Sequence, residues 1–124
     1  TDRTLKVASE LVKVGVKPAQ ISEVVYNSYP WSRIELMRQV LDTVKRNANG
    51  NIASMRQTIE MKEIARSVEG DNNGFVNIPL AAREVEAVLY MRETAPDTYR
   101  CSLRSKGNIN VAKVAEKFGG GGHK

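Results

Sequence analysis

The sequence predicts an α/β (α+β) fold in which N-terminal helices precede a small mixed-sheet domain. Over residues 1–47 apolar side chains recur at intervals of three and four, which is typical of amphipathic helices. From residue 51 onward, short alternating or continuous apolar segments indicate strands with helices between them. A polar cluster at residues 47–51, Asn-Ala-Asn-Gly-Asn, separates the two patterns and is the best candidate for a boundary.

Composition places the chain among ordinary globular proteins with a basic charge. Its 124 residues are 41% hydrophobic and 27% charged, enough to bury a core. A formal net charge of +5 favours polyanionic partners such as nucleotides or nucleic acid. A single cysteine excludes a disulfide framework, and no segment has the length of a membrane span, so we predict a cytoplasmic protein without a membrane partner.

Two helices are predicted at the start of the chain. Asp2 is a candidate cap for the first helix, and Gly15 is expected to end it. Pro18 suits the first turn of the second helix, which should end near Asn27. Because the chain starts Thr1-Asp-Arg, without an initiator methionine, we expect it to begin inside a longer protein.

A third helix is predicted after Ser32, which stands three residues before Glu35 at capping-box spacing. Beyond the polar cluster we expect the following elements in order: a strand over 51–57, a helix capped by Thr58, a loop over 69–74, a strand over 85–91, a hairpin connection over 93–97 and a strand over 98–104. Together they predict a small mixed sheet with helices.

The last predicted strand alternates between two kinds of side chain. Its apolar side, which we expect to be buried, consists of Tyr99, Cys101 and Leu103. Its polar side consists of Arg100, Ser102 and Arg104. Guanidinium groups match phosphate oxygens in a bidentate way and serine can donate to the same group, so the polar side has the chemistry of a phosphate-pocket wall. The alternative is a solvated sheet face, which is the commoner use of a lone strand.

The chain ends in a glycine run, Gly119, Gly120, Gly121 and Gly122, followed by its one histidine, His123. One local use is clear, because Gly119 follows a helical apolar series and sits where a left-handed cap is wanted. A second use is an anion cradle of backbone N–H groups with His123 at its rim. A flexible tail is the remaining alternative.

Three motifs in this order and spacing resemble the C-terminal substrate-binding domain of the DHH-type phosphoesterases. They are Ser-Leu-Arg-Ser at 102–105, Val-Ala-Lys-Val-Ala-Glu-Lys-Phe at 111–118 and Gly-Gly-Gly-Gly-His at 119–123. Within that superfamily the pattern is most similar to the bacterial nano-RNase and 3′-phosphoadenosine-5′-phosphate phosphatase branch. The resemblance implies hydrolysis of short oligoribonucleotides, of 3′-phosphoadenosine 5′-phosphate, or of both.

The resemblance also implies roles for particular residues. Arg104 with Ser102 would hold a phosphate or the terminal nucleotide, the backbone of Gly119 to Gly122 would cradle a phosphate, and His123 would hydrogen-bond it. Arg92 is a weaker candidate, because related proteins also carry an arginine at the end of this strand. Its alternative is a surface ion pair with a neighbouring glutamate, Glu86 or Glu93.

A catalytic domain is implied but not expected within these 124 residues. Residues 1–47 resemble its trailing helices or linker, and residues 51–124 resemble the substrate-binding domain. The superfamily implies manganese ions held by aspartates and histidines, whereas this chain has one histidine and four scattered aspartates. We therefore predict no catalytic residue, metal ligand or cofactor in the chain, and no hydrolysis by the chain alone.

Partners and alternatives follow from the same patterns. The expected partners are short RNA or a nucleotide, the catalytic domain, and a second copy if the apolar N-terminal helices pair. A different class of function is a stand-alone nucleic-acid-binding module, like the related domain appended to alanyl-tRNA synthetases. Within the superfamily, part of a cyclic-dinucleotide phosphodiesterase or of a RecJ-type exonuclease also remains open.

Overall fold

The computed structural model describes residues 1–122, in which the chain forms two compact units, Thr1–Pro30 and the residues from Trp31 onward. The first unit consists of two helices, α1 (Asp2–Lys13) and α2 (Pro18–Tyr26), which confirms the two helices predicted there. In the described part of the chain, no helix combines the length and the apolar character needed to cross a membrane.

Local side chains and backbone angles fix the ends of α1 and α2. The hydroxyl oxygen of Thr1 accepts a hydrogen bond from the Thr4 amide at 3.2 Å, so Thr1 caps α1 and the predicted cap at Asp2 is wrong. Asp2 lies in the first turn, where a negative charge suits the positive pole of the helix. Gly15 has a left-handed φ of 98°, which ends helices at low cost, and Pro18 opens α2.

The first unit buries little apolar surface. No residue of α1 or α2 is buried, and the side chain of Leu5 is 73% exposed. An apolar groove of about 300 Å³ runs along this unit, with Leu11, Ile21 and Val25 among its lining residues. Because burial of apolar side chains is the main source of folding free energy, these helices contribute little to the stability of this chain.

The second unit contains, among the described residues, four helices and a four-stranded sheet. In chain order its elements are α3 (Trp31–Asp42), β1 (Lys45–Arg46), β2 (Ile52–Gln57), α4 (Ile59–Ala65), α5 (Asn77–Leu80), β3 (Ala87–Ala95), β4 (Thr98–Ser105) and α6 (Ala112–Glu116). The strands lie in the order β1-β2-β3-β4, with β2 and β3 parallel and the other neighbours antiparallel. This mixed sheet, which follows the N-terminal helices in the chain, confirms the predicted fold class.

One face of the sheet carries the hydrophobic core. Leu36 and Val40 of α3 are fully buried and cluster with Met55, Val88 and Tyr90 from the strands. Pairing register and strand alternation place nine side chains on this helix-covered face: Ala53, Met55, Gln57, Val88, Tyr90, Arg92, Arg100, Ser102 and Arg104. The opposite face of β2, β3 and β4 carries the residues between them, including Ile52, Arg56, Leu89, Met91, Tyr99, Cys101 and Leu103.

The third helix packs with the sheet. Its buried residues belong to the same core as β2 and β3, and the compact units divide between Pro30 and Trp31. The polar cluster at 47–51 is a turn, as predicted, and it joins the paired strands β1 and β2. The assignment of residues 1–47 to the tail or linker of another domain stays a prediction about the longer protein.

Thr43 protects the edge of β2 beyond the short strand β1. Its hydroxyl oxygen accepts a hydrogen bond from the amide of Arg56 at 3.0 Å, and its one hydrogen is shared between the Val40 carbonyl at 2.7 Å and the Arg56 carbonyl at 3.2 Å. A side chain thus continues the hydrogen-bond ladder where the two-residue strand ends. Such coverage hides backbone groups that would otherwise be free to pair with another chain.

Two helix caps were predicted in this unit, a serine and a threonine, and only the threonine cap is confirmed. Thr58 caps α4, with its hydroxyl oxygen accepting from the Met61 amide at 3.2 Å. Ser32 lies inside the first turn of α3, and its hydroxyl donates to the carboxylate of Asp71 at 2.8 Å, so the predicted capping box with Glu35 is wrong. Ser32 instead ties α3 to the loop over 68–75.

Candidate functional site

The two sides of β4 face in the opposite directions to those predicted. Ser102 lies across from Tyr90 and Arg104 across from Val88, so the arginine side of β4 shares the face of the core. Tyr99 is 42% exposed and Cys101 is exposed, so the predicted burial of that side is wrong. β4 is an edge strand, and its part of the helix-covered face is open to solvent at Arg104.

Arg92 stands at the border between the core and this open part. One terminal nitrogen, Nη2, lies 3.5 Å from the hydroxyl oxygen of Ser102, and the guanidinium carbon lies 5.7 Å from the centre of the Tyr90 ring. The ion pairs found among residues 1–122 do not include Arg92, so the predicted alternative of a pair with a glutamate is not what the structure has. Glu93 instead accepts from the amide of Ile59.

The Nε atom of Arg92 is the feature that marks a site. It is buried, and within residues 1–122 no acceptor lies within hydrogen-bond distance of it. A buried donor without an acceptor costs about 1–3 kcal/mol, and more when the group is charged. An anion in the open part of this face would reach the terminal nitrogens of the same guanidinium group and the Ser102 hydroxyl. Oxygens of phosphate or carboxylate have the geometry that a guanidinium group binds best.

The cross-strand pair of Arg92 and Arg100 also favours an anion at this face. Arg100 lies directly opposite Arg92 on the neighbouring strand and on the same face. Like charges in directly opposed positions destabilise a sheet pair. Arg104 adds a third guanidinium group on this face, two alternating positions along β4. Three cations around one half-buried hydroxyl form a surface that an anion would stabilise.

A buried set of hydrogen-bonded side chains holds the Tyr90 ring, over which the guanidinium group of Arg92 lies. The hydroxyl of Tyr90 donates to Oε1 of Gln57 at 2.6 Å, and the side-chain amide of Asn72 donates to the same oxygen at 3.2 Å. Burial raises the pKa of Tyr90 to about 12, so the phenol stays protonated and remains a donor at neutral pH. Tyr90 and Gln57 are only 3% and 2% exposed.

The glycine run is organised by its own helix. Gly119 has a φ of 76° after α6, which confirms the predicted left-handed cap. The amide of Gly120 donates to the Ala115 carbonyl at 2.9 Å, and a Cβ at this position would lie 3.1 Å from that oxygen. The left-handed cap therefore accounts for Gly119, and close packing on α6 accounts for Gly120.

Within residues 1–122, the hydrogen bonds and close contacts found for the glycine run are with its own helix, α6, and not with the arginines. His123 lies outside the described residues. The anion cradle at 119–123 thus stays a prediction, and Arg92, Ser102 and Arg104 are the predicted site residues that the structure brings onto one face.

The described residues do not fit a metal ion. Among residues 1–122 no three histidine, cysteine, aspartate or glutamate side chains come together as ligands. The buried carboxylate of Asp71 already accepts from the Ser32 hydroxyl and from the Val68 amide. No step proposed for this chain therefore runs through manganese.

Sequence reasoning missed Tyr90 and Gln57. Tyr90 lies in an apolar run that predicts only a buried strand, and Gln57 ends a weakly alternating one. A usable signal was present, because Gln57 continues the buried series of Ala53 and Met55 with a polar side chain. A polar residue at a core position needs a partner, which directs attention to its neighbours.

The fold and this surface define a two-layer α/β domain whose open sheet edge is cationic. Residues 70–124 match the model of the DHHA1 domain. Over 123 residues the chain is 32% identical to the bifunctional oligoribonuclease and PAP phosphatase NrnA of Thermus thermophilus, covering 99% of this chain and 36% of that protein. Among solved structures it resembles an exopolyphosphatase-related protein from Bacteroides fragilis, with a TM-score of 0.86, 35% identity, and coverage of 99% of this chain and 36% of that one.

These likenesses identify residues 70–124 as a DHHA1 domain and support a DHH-family C-terminal domain. They confirm the family predicted from the three C-terminal motifs. The chain spans 36% of the length of each of the two relatives.

Proposed function

We propose that the chain is the substrate-binding part of a phosphoesterase that hydrolyses short oligoribonucleotides, 3′-phosphoadenosine 5′-phosphate, or both. The observation that carries the proposal is the buried Nε of Arg92, which has no acceptor among the described residues and lies in a guanidinium group that reaches Ser102. The name of the Thermus relative, an oligoribonuclease and PAP phosphatase, supports the choice of substrates.

In this proposal, the helix-covered face of β3 and β4 binds a phosphate group. Arg92 donates from its terminal nitrogens in a half-buried position, where a charge-assisted hydrogen bond is stronger than in water. Ser102 donates its hydroxyl hydrogen, and the exposed Arg104 closes over the anion from the solvent side. The backbone of Gly119 to Gly122 and His123 would form the remaining wall, as the family resemblance implies.

The chain would contribute to hydrolysis by positioning. Holding one phosphate of a short substrate would fix the position of the bond that breaks relative to the catalytic domain. A pocket that captures one end of a strand would also favour short substrates. Manganese-dependent chemistry would reside in a catalytic domain outside these residues, with residues 1–47 as its tail or linker and the cytoplasm as the compartment.

Calorimetric titration of the chain with 3′-phosphoadenosine 5′-phosphate and with a diribonucleotide tests the proposal. We expect Arg92→Ala and Arg104→Ala each to weaken binding about tenfold or more, since a hydrogen bond to a charged group is worth about 1.5–3 kcal/mol. Arg46→Ala is the matched control, because it removes the same charge from β1, which β2 and β3 separate from β4. Unchanged affinity in Arg92→Ala would contradict the proposal.

A second candidate is an RNA-binding module that contacts many phosphates. It is favoured by three exposed cations at the other end of the sheet, Lys45, Arg46 and Arg56. This function predicts tight binding of structured RNA, a steep dependence of affinity on salt, and weakening by Arg46→Ala. The first proposal predicts that a ligand with one or two phosphates is sufficient and that Arg46→Ala binds like the parent.

A further inference from the structure

We infer that Tyr90 is a positioning residue that holds the guanidinium group of Arg92 in place for anion binding, with Gln57 and Asn72 fixing Tyr90 from behind. The inference rests on the proposed function, because it assigns a role at the same phosphate-binding face. It adds residues that touch no substrate themselves.

The first step is the contact between the ring and the guanidinium group. The Cζ atom of Arg92 lies 5.7 Å from the centre of the Tyr90 ring, within the range of about 6 Å for attraction between a cation and an aromatic face. A free arginine side chain samples many rotamers, and restricting them before binding lowers the entropy cost of capturing a ligand. The contact with Ser102 at 3.5 Å restrains the other end of the group.

The second step is that the ring itself cannot turn away. Tyr90 is almost fully buried, and its hydroxyl needs a partner there, which Oε1 of Gln57 provides at 2.6 Å. Gln57 is in turn the register partner of Arg92 across β2 and β3. The hydrogen bond therefore anchors the ring to the strand beside the one that carries Arg92.

The third step is that Asn72, which donates to the same oxygen of Gln57 at 3.2 Å, lies in a loop that is itself hydrogen-bonded to α3. Asn72 follows Asp71, whose carboxylate binds the hydroxyl of Ser32 and whose backbone carbonyl accepts from Arg33. Polar contacts thus run from the start of α3 through the loop over 68–75 to Gln57 and Tyr90. Arg92 is held by the fold as a whole rather than by its own strand alone.

The test compares two substitutions of Tyr90 by calorimetric titration with 3′-phosphoadenosine 5′-phosphate. Tyr90→Phe keeps the ring in its packed site but removes its hydrogen bond to Gln57, so we expect a small loss of affinity, no more than about threefold. Tyr90→Leu removes the ring, and we expect a loss of about fivefold to tenfold. In an Arg92→Ala background the same Tyr90→Leu change should have no further effect, because the residue acts through Arg92.

A second readout needs no ligand. The Nε–Hε group of Arg92 should give a distinct signal in a ¹⁵N–¹H spectrum, identified by its loss in Arg92→Ala. We expect that signal to shift in Tyr90→Leu and to stay close to the parent position in Tyr90→Phe. An unchanged signal in Tyr90→Leu, or equal losses of affinity with and without Arg92, would overturn the inference.

The two proposals can fail separately. If the parent chain binds no phosphate ligand, the proposed function is wrong, and the Arg92 signal then shows only whether the ring holds the guanidinium group. If Tyr90→Leu does not fold, Asn72→Ala on the half-buried loop takes its place in the same double-mutant comparison. It should weaken binding only where Arg92 is present, and a loss of the same size without Arg92 would overturn the inference.

Discussion

Ser102 lies directly opposite Tyr90 across β3 and β4, so its hydroxyl shares a sheet face with the hydrophobic core. Arg92 lies two residues further along β3, with its guanidinium carbon 5.7 Å from the centre of the Tyr90 ring and Nη2 3.5 Å from the Ser102 hydroxyl oxygen. The candidate site therefore lies where the core ends and solvent begins. At such a border a cation binds an anion more strongly than at a fully exposed surface, because the local dielectric constant is lower.

The core position of α3 gives the first prediction. Leu36→Ala should lower the free energy of unfolding of the second unit by about 2–5 kcal/mol, since it leaves a cavity among fully buried side chains. Leu5→Ala in α1 removes the same atoms from a side chain that is 73% exposed and should change stability by less than about 0.5 kcal/mol. Urea unfolding followed by circular dichroism measures both. Equal effects would contradict the assignment of α3 to the core.

Cys101 gives a prediction of reactivity. Because its side chain is exposed on the opposite face of β4, a thiol reagent should modify it in the folded chain without waiting for unfolding. Cys101→Ser should change the free energy of unfolding by less than about 0.5 kcal/mol. A modification rate that tracks the unfolding rate would show that the thiol is buried after all.

The glycine run provides a matched pair of substitutions. A Cβ at Gly120 would lie 3.1 Å from the Ala115 carbonyl oxygen, whereas a Cβ at Gly121 would meet nothing within 4 Å. Gly120→Ala should therefore displace the run from α6 and change the backbone amide signals of α6 in an NMR spectrum. Gly121→Ala should leave those signals in place. If the two variants behave alike, packing on α6 is not what requires glycine at position 120.

Tyr90 gives a prediction about alkaline pH. Burial raises its pKa to about 12, above the unfolded value of about 10, so the protonated phenol stabilises the fold. That stability is fully present below pH 10 and is lost as the pH rises from 10 through 12. Absorbance titration should show the late ionisation of Tyr90 as a component that Tyr90→Phe removes. A late ionisation that persists in Tyr90→Phe would contradict this assignment.

Local signals in the sequence were sufficient for most of the secondary structure. Apolar periodicity identified α1, α2 and α3, and Thr58 marked the start of α4, because a cap acts on amides within its own turn. Ser32 carries the same kind of signal and does not act as a cap. Its hydroxyl has a partner, Asp71, that lies 39 residues away in the sequence, and no local rule contains that information.

The faces of β4 show a second limit. Alternation in a strand predicts that two sets of side chains separate, but it does not say which set faces the core. That choice is made by the register with β3, which places Ser102 beside Tyr90 and leaves Cys101 exposed. The candidate residues Arg104 and Ser102 were found from their chemistry and family motif. The support from Tyr90 and Gln57 could not be found in this way, because it depends on contacts between strands.

The central claim, that phosphate binds on the helix-covered face of β3 and β4, is tested most directly by a ¹⁵N–¹H titration with 3′-phosphoadenosine 5′-phosphate. We predict that the Nε–Hε signals of Arg92 and Arg104 and the amide signal of Ser102 move with the ligand, while the amide of Arg46 on β1 stays unchanged. Saturating shifts that leave the Arg92 and Arg104 side chains unmoved would contradict the claim.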